Sequence, residues 1–132
     1  MTLAEIYDYA KAHDVAIYNF RFDAITALSV PDNIAIDYRR IQGERHEKEV
    51  VMHELSHNET GTFYGLQCPL ETRGRQEYRA RKWAWLHLIP AEDLKQAVSA
   101  GYTELWELAD YFDVPEEQIQ EAVSYYQENG MI

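Results

Sequence analysis

The sequence predicts an α+β fold in which a small, three-stranded antiparallel sheet packs against several helices. Residues 15–37 contain three short runs rich in β-branched and aromatic residues, which is typical of strands. Most of the remaining chain has apolar residues at the three- and four-residue spacing of helices. The chain has 132 residues, the length of one domain. We therefore expect a single domain over residues 1–132, whose C-terminal part, from about residue 91, is helical and acidic.

The first part of the chain predicts one helix followed by the sheet. Apolar residues recur at helical spacing over residues 2–13 and predict the first helix. Three strands are expected, over residues 15–22, 25–30 and 33–37. Pro31 and Asp32 indicate the turn between the last two. Because the strands follow one another at short intervals, we expect an antiparallel meander.

The rest of the chain predicts helices joined by short connections. The expected helices span residues 47–58, 72–88, 92–100, 104–112 and 116–127. Gly61 is expected to end the first of these helices, and Pro90 stops the second. Residues 60–71 contain Gly and Pro and are expected to form a loop.

The charge of the chain is strongly negative and unevenly distributed. The net charge is −11, and residues 103–132 hold eight acidic residues without a single Lys or Arg. Such a surface repels phosphate, so direct binding to nucleic acid is not expected and a basic protein partner suits it better. No apolar run reaches the length of a membrane span, and no secretory signal is visible. With Cys68 as the only cysteine, we expect a cytoplasmic protein without an internal disulfide.

The residues His53-Glu54-Leu55-Ser56-His57 form an HExxH motif within the predicted helix 47–58. Residues four apart lie on one face of a helix, about 6 Å from each other, so both imidazoles can reach one zinc ion. A Glu beside the first His then lies next to the metal, where it can take a proton from water. His53 and His57 are therefore candidate zinc ligands, and Glu54 is the candidate general base.

A catalytic zinc ion usually has three protein ligands, so one more is expected elsewhere in the chain. His46 lies about 10 Å along the helix axis from His53, too far to share an ion. Glu77 is the best candidate, because the loop over residues 60–71 allows its helix to fold back across the first. Glu71 remains the competitor, although it lies beside Pro69 in the predicted loop.

Two helices together resemble a known family, the ImmA/IrrE metallopeptidases. The resemblance rests on the HExxH motif and on Gln76-Glu77-Tyr78-Arg79-Ala80, Trp83-Ala84 and Leu88-Ile89-Pro90 in the next helix. Residues 107–114 also resemble the C-terminal helical region of that family, so the similarity covers roughly residues 15–125. Arg81 and Trp83 depart from the residues that many members carry, but neither departure removes a candidate ligand.

The resemblance implies a zincin-like fold and a zinc peptidase with ligands His53, His57 and Glu77 and general base Glu54. It also implies a substrate class, since such proteins of phages and mobile elements cleave or antagonise a helix-turn-helix repressor. The alternative is a zinc-binding regulatory module that antagonises a repressor without cutting it. A metal-free structural protein would require the motif to be accidental.

Three further features give hypotheses. Tyr64 is a possible second donor to the oxyanion, although an exposed loop tyrosine is the simpler interpretation. The predicted strand 33–37 is a candidate sheet edge for binding substrate as an added strand. Residues 104–127 have the outline of a helix-turn-helix, but the second helix offers acidic residues rather than Arg or Lys. Its acidic face is a candidate docking surface for a partner.

Overall fold

The computed structural model describes residues 1–65 and 67–132; Leu66, in the predicted loop 60–71, lies outside the described residues. Within them the elements follow in the order α1 (Leu3–Ala12), β1 (Ala16–Asn19), β2 (Ala27–Val30), β3 (Asn33–Ile36), a short 3-10 helix (Tyr38–Arg40), α2 (Glu44–Thr60), α3 (Leu70–Leu88), α4 (Ala91–Ser99), α5 (Leu105–Phe112) and α6 (Glu116–Glu128). The predicted α+β class is confirmed, and each predicted helix and strand is present with its ends displaced by at most three residues.

The sheet is mixed, so the predicted antiparallel meander is wrong. The strand order is β1-β3-β2, with β1 parallel to β3 and β2 antiparallel to it. Ile34 and Ile36 of β3 are fully buried, whereas Tyr18 in β1 and Leu28 in β2 are half-exposed. The most apolar strand therefore takes the centre, where both of its edges are hydrogen-bonded, and the half-exposed strands take the two sides.

Asp37 follows β3 and holds the connection between β1 and β2 in place. Its buried carboxylate accepts hydrogen bonds from the Arg39 guanidinium at 2.6 and 2.9 Å and from the Phe22 amide at 3.1 Å. The Arg39 guanidinium, helped by the two backbone amides that bond this carboxylate, holds the pKa of Asp37 well below its usual range. The ion pair thus adds to the backbone hydrogen bonds at the two ends of this connection, which run from the Phe20 amide to the Ile36 carbonyl and from the Asp37 amide to the Thr26 carbonyl.

Helix α2 carries the HExxH motif, and its two ends are determined by glycine. Gly43 precedes the helix with φ +97°, and Gly61 follows it in the left-handed conformation with φ +64°. Val51, Met52 and Leu55 are fully buried, and the helix packs against α1, β2 and β3. As predicted, the helix ends at Gly61, because glycine adopts this conformation without the steric cost that other residues meet.

The chain divides into two compact units, residues 2–83 and residues 84–132 together with Met1. In the second unit the Trp85 indole N–H donates to Glu121 at 3.0 Å, and the Tyr126 hydroxyl donates to the Ile89 carbonyl at 2.7 Å. These two bonds connect the end of α3 and the following residue to α6. The prediction of a single domain stays a prediction. None of the helices in the described residues combines the length and apolarity needed to cross a bilayer.

Candidate metal centre

The histidines of the motif lie one turn apart on α2 and face each other nearly at right angles. Their ring centroids are 4.8 Å apart, with an interplanar angle of 80°. Burial lowers the pKa of His53, and the neighbouring His57 lowers it further. A neutral imidazole has the free lone pair that a metal ligand needs.

His57 is held in one tautomer by the turn that ends α2. Its Nδ1 lies 2.7 Å from the Thr62 carbonyl oxygen and 2.9 Å from the Thr62 hydroxyl. Because a carbonyl oxygen can only accept a hydrogen bond, Nδ1 carries the proton and Nε2 keeps its lone pair. The left-handed conformation of Gly61 brings Thr62 back toward the ring, and both amides after Thr60 bond the His57 carbonyl. The end of the helix therefore orients a candidate ligand.

Glu77 of α3 completes the group. Its Oε1 lies 3.1 Å from Nε2 of His57, and its Oε2 lies 3.7 Å from Nε2 of His53. One ligand atom from each of the three residues can be chosen so that all lie within 4.8 Å of one another. Two tetrahedral ligands, each about 2.1 Å from one zinc ion, are about 3.4 Å apart, which is within the range of the two contacts of Glu77.

The chemistry of the donors fits a metal cation. In the neutral ring with Nδ1 protonated, Nε2 of His57 directs a lone pair at a carboxylate oxygen 3.1 Å away. Two lone-pair atoms at this distance repel each other unless a proton or a cation lies between them. Two imidazole nitrogens and one carboxylate form the His₂Glu ligand set of several catalytic zinc sites. The residues present therefore fit a divalent transition metal such as zinc.

The other residues considered for the third ligand lie elsewhere. Glu71 is 86% exposed and pairs with Arg75 at 3.1 Å. His46 accepts a hydrogen bond from the Gln42 amide at 2.8 Å. In the described part of the chain, these side chains do not belong to the group formed by Glu77 with the two motif histidines.

Glu54 and the group around Glu77 line the same small cleft, whose volume is about 160 Å³. Burial raises the pKa of the Glu54 carboxyl to about 7, and the nearby charge of Glu77 contributes to the shift. Tyr64 is the exposed loop residue of the simpler interpretation, and it also lines this cleft and donates a hydrogen bond to Glu77. Burial and this hydrogen bond raise the pKa of Tyr64 to about 12.

Strand β2 forms one wall of the cleft through Ala27, Leu28 and Ser29. Among the described residues β2 is paired on one side only, whereas the predicted edge strand 33–37 is β3, the central strand, and cannot accept another strand. That prediction is wrong because the pairing of short strands depends on contacts distant in sequence. The free edge beside the cleft belongs to β2.

Two polar residues that the sequence alone does not single out attach β2 to the motif helix. The Ser29 hydroxyl donates to the Glu54 backbone carbonyl at 3.0 Å, and the side-chain amide of Asn58 donates to the Ser29 hydroxyl at 2.6 Å. The side-chain oxygen of Asn58 also accepts a hydrogen bond from the Asp32 backbone amide at 2.7 Å. Such bonds between distant residues leave no periodic signal in a sequence, whereas the position of Thr62 directly after Gly61 was a signal that could have been used.

Comparison with known proteins agrees with the geometry. No curated protein and no solved structure matches the chain significantly. The sequence profile of the IrrE N-terminal-like domain, which defines the peptidase M78 family of metallopeptidases, matches residues 10–124. The match covers most of the chain and confirms the resemblance to ImmA/IrrE proteins. The chain therefore belongs to the peptidase M78 family.

Proposed function

We propose that the protein is a zinc-dependent endopeptidase in which His53, His57 and Glu77 bind the ion and Glu54 is the general base. One observation carries this proposal. Two imidazole nitrogens and a carboxylate oxygen converge within 4.8 Å, and the tautomer of His57 leaves its Nε2 free to coordinate. Nε2 of His57 lies 3.1 Å from Oε1 of Glu77, and one metal cation would bind both atoms as ligands.

Bound zinc would supply a Lewis acid that lowers the pKa of water toward about 7 and polarises the scissile carbonyl. Glu54 would take a proton from the attacking water while the water oxygen bonds to the carbonyl carbon. The same carboxyl would then pass the proton to the nitrogen as the C–N bond breaks, releasing an amine. A pKa of about 7 suits both the uptake and the release of a proton near neutrality.

The residues around the cleft suggest how substrate is held. The free edge of β2 offers backbone groups for an extended peptide, which is a common way to bind a strand. The Tyr64 hydroxyl, which donates to Glu77 in the cleft, is the candidate second donor to the oxyanion. Both roles are part of the proposal.

For the substrate we propose a helix-turn-helix repressor of a phage or mobile element, met in the cytoplasm. The support comes from the resemblance to ImmA/IrrE proteins and from charge. A chain with net charge −11 attracts a basic DNA-binding protein, whereas it repels nucleic acid and anionic membranes. Neither nucleic acid nor a membrane is proposed as a direct partner.

The Glu54→Gln variant separates cleavage from binding. The protein is incubated with zinc and with helix-turn-helix proteins encoded near its gene, and the products are resolved by mass spectrometry. We expect the parent to cut one of them, and Glu54→Gln to retain zinc but lose at least 100-fold in rate. Glu44→Gln, the same change at an exposed position in the first turn of α2, is the control and should cut normally.

Two results would contradict the mechanism. Normal cleavage by Glu54→Gln would exclude this residue as the base. A parent that binds zinc and the repressor but never cuts it would favour the non-cleaving regulatory module.

A further inference from the structure

The unit formed by residues 84–132 has an open apolar groove of about 790 Å³ between α4, α5 and α6. Aliphatic side chains from all three helices line it: Leu94, Val98, Leu105, Leu108, Ile119 and Val123. Three of these (Leu94, Leu108 and Ile119) are buried and form the floor, whereas Val98 is 45% exposed. Apolar side chains left open to solvent in a groove mark an interaction surface.

The groove has the dimensions of a helix-binding site. Along α6 its lining extends from Ile119 to Gln127, a rise of about 12 Å or two helical turns. The lining also includes polar side chains, among them Ser99, Thr103 and Ser124. A mainly apolar groove with some polar residues can accommodate the apolar stripe of an amphipathic helix.

The charge around the groove selects the partner. Residues 84–132 contain ten acidic residues and one lysine, a net charge of −9 out of −11 for the whole chain. That lysine, Lys95, lines the groove but is paired with Glu92 at 3.1 Å. Glu104 lies between the lining residues Thr103 and Leu105, and Glu116 precedes the lining residue Gln120 by one turn of α6. The groove therefore belongs to a strongly acidic unit, and acidic residues adjoin its lining residues along the chain.

We propose that the groove formed by α4, α5 and α6 binds an amphipathic α-helix of a partner protein that carries Lys or Arg beside its apolar stripe. Burial of the apolar stripe supplies affinity, and the negative charge of residues 84–132 selects basic helices over acidic ones. The same charge disfavours nucleic acid and anionic lipid as occupants. This docking surface does not depend on the metal centre and is a second binding site of the protein.

A designed helical peptide is the probe for this site. A fluorescein-labelled peptide of about 16 residues carries Leu at helical spacing on one face and Lys on the borders. Two comparison peptides replace every Lys by Glu or scramble the sequence. We expect measurable binding of the Lys peptide by fluorescence anisotropy, weakened at least tenfold by either change and several-fold by raising the salt concentration.

Variants of the protein locate the site. Val98→Lys adds a charge to the exposed wall of the groove, and Trp106→Lys adds the same charge to an exposed residue of α5 that does not line it. We expect Val98→Lys to weaken binding at least tenfold and Trp106→Lys less than threefold. Chemical-shift mapping on the unaltered protein is expected to place the largest changes in α4, α5 and α6.

The proposal is overturned by any of four results: no binding of the Lys peptide, equal binding of the scrambled or the Glu peptide, equal effects of the two variants, or shifts that cluster outside these helices. Equal binding of the scrambled peptide would indicate diffuse attraction to an acidic surface rather than a groove.

Discussion

Replacing Thr62 by valine tests whether the turn after α2 tunes metal affinity through His57. Thr62 is fully buried, and its hydroxyl lies 2.9 Å from Nδ1 of His57 and 2.7 Å from the Thr60 hydroxyl. Valine has nearly the same shape, so the substitution removes these hydrogen bonds without opening a cavity. The Thr62 carbonyl, 2.7 Å from Nδ1, remains as an acceptor.

The expected loss of zinc affinity is modest because Nδ1 of His57 has two acceptors and the substitution removes only one of them. Removing a group that orients a metal-binding histidine typically costs about 10- to 100-fold in metal affinity. Because the nearer of the two acceptors of Nδ1 is retained, we expect the lower end, about tenfold, equivalent to about 1.4 kcal/mol. The buried hydrogen bonds that are lost should lower the free energy of unfolding of the metal-free protein by about 1 kcal/mol.

The assay is competition for zinc against a chromophoric chelator, with thermal unfolding of the metal-free protein measured in parallel. Thr60→Val is the matched control, because the Thr60 hydroxyl bonds Thr62 and the Ser56 carbonyl but not the histidine. We expect this control to bind zinc within about threefold of the parent. A folded Thr62→Val protein with parental zinc affinity, or equal losses in both variants, would refute the role assigned to the turn.

The remaining predictions concern stability. Gly61→Ala should destabilise the protein by about 1–2 kcal/mol in denaturant unfolding, because alanine is strained at φ +64° although nothing blocks its Cβ. Gly74 is a solvent-exposed residue in the interior of α3, and its added Cβ also meets open space. Gly74→Ala should therefore stabilise the protein by about 0.5–1 kcal/mol, and equal effects of the two substitutions would contradict an explanation based on backbone conformation. Asp37→Asn should lower the melting temperature at pH 7. Because the pKa of Asp37 is depressed in the folded state, its stabilisation is complete above the unfolded pKa of about 4 and is lost as the pH falls below it. The difference in melting temperature between Asp37→Asn and the parent should therefore narrow below about pH 4, and a constant difference would contradict the ion-pair assignment.

The helices could be predicted from sequence because each one carries its own signals. Helical spacing indicated α1 to α6, and Gly61 indicated the end of α2 because its backbone conformation is a local requirement. The spacing of His53 and His57 likewise depends on helix geometry alone. Glu77 lies beside these histidines only because α3 folds back across α2. The prediction of Glu77 therefore rested on its place in the chain after the loop and on the family resemblance.

The sheet order could not be predicted because four-residue strands contain little information about their partners. Each strand has the apolar character of a β-segment, but only long-range contacts decide that β3 lies between β1 and β2. For the same reason the roles of Ser29 and Asn58 could not be predicted. Ser29 bonds Glu54 and Asn58 of the motif helix, which lie 25 and 29 residues further along the chain. Interactions of this kind become visible only in three dimensions.

The zinc content of the purified protein tests the central claim most directly. The parent, Glu77→Ala and Glu71→Ala are purified without chelators or affinity-tag metal, and zinc per chain is measured by mass spectrometry before and after exposure to a competing chelator. Glu71 lies on the same helix and is 86% exposed, so its variant is the matched control. We predict one zinc ion per chain in the parent and in Glu71→Ala, and much weaker retention in Glu77→Ala. A parent that holds no zinc even after the ion is added back, or a Glu77→Ala variant that retains zinc as firmly as the parent, would contradict the proposed metal centre.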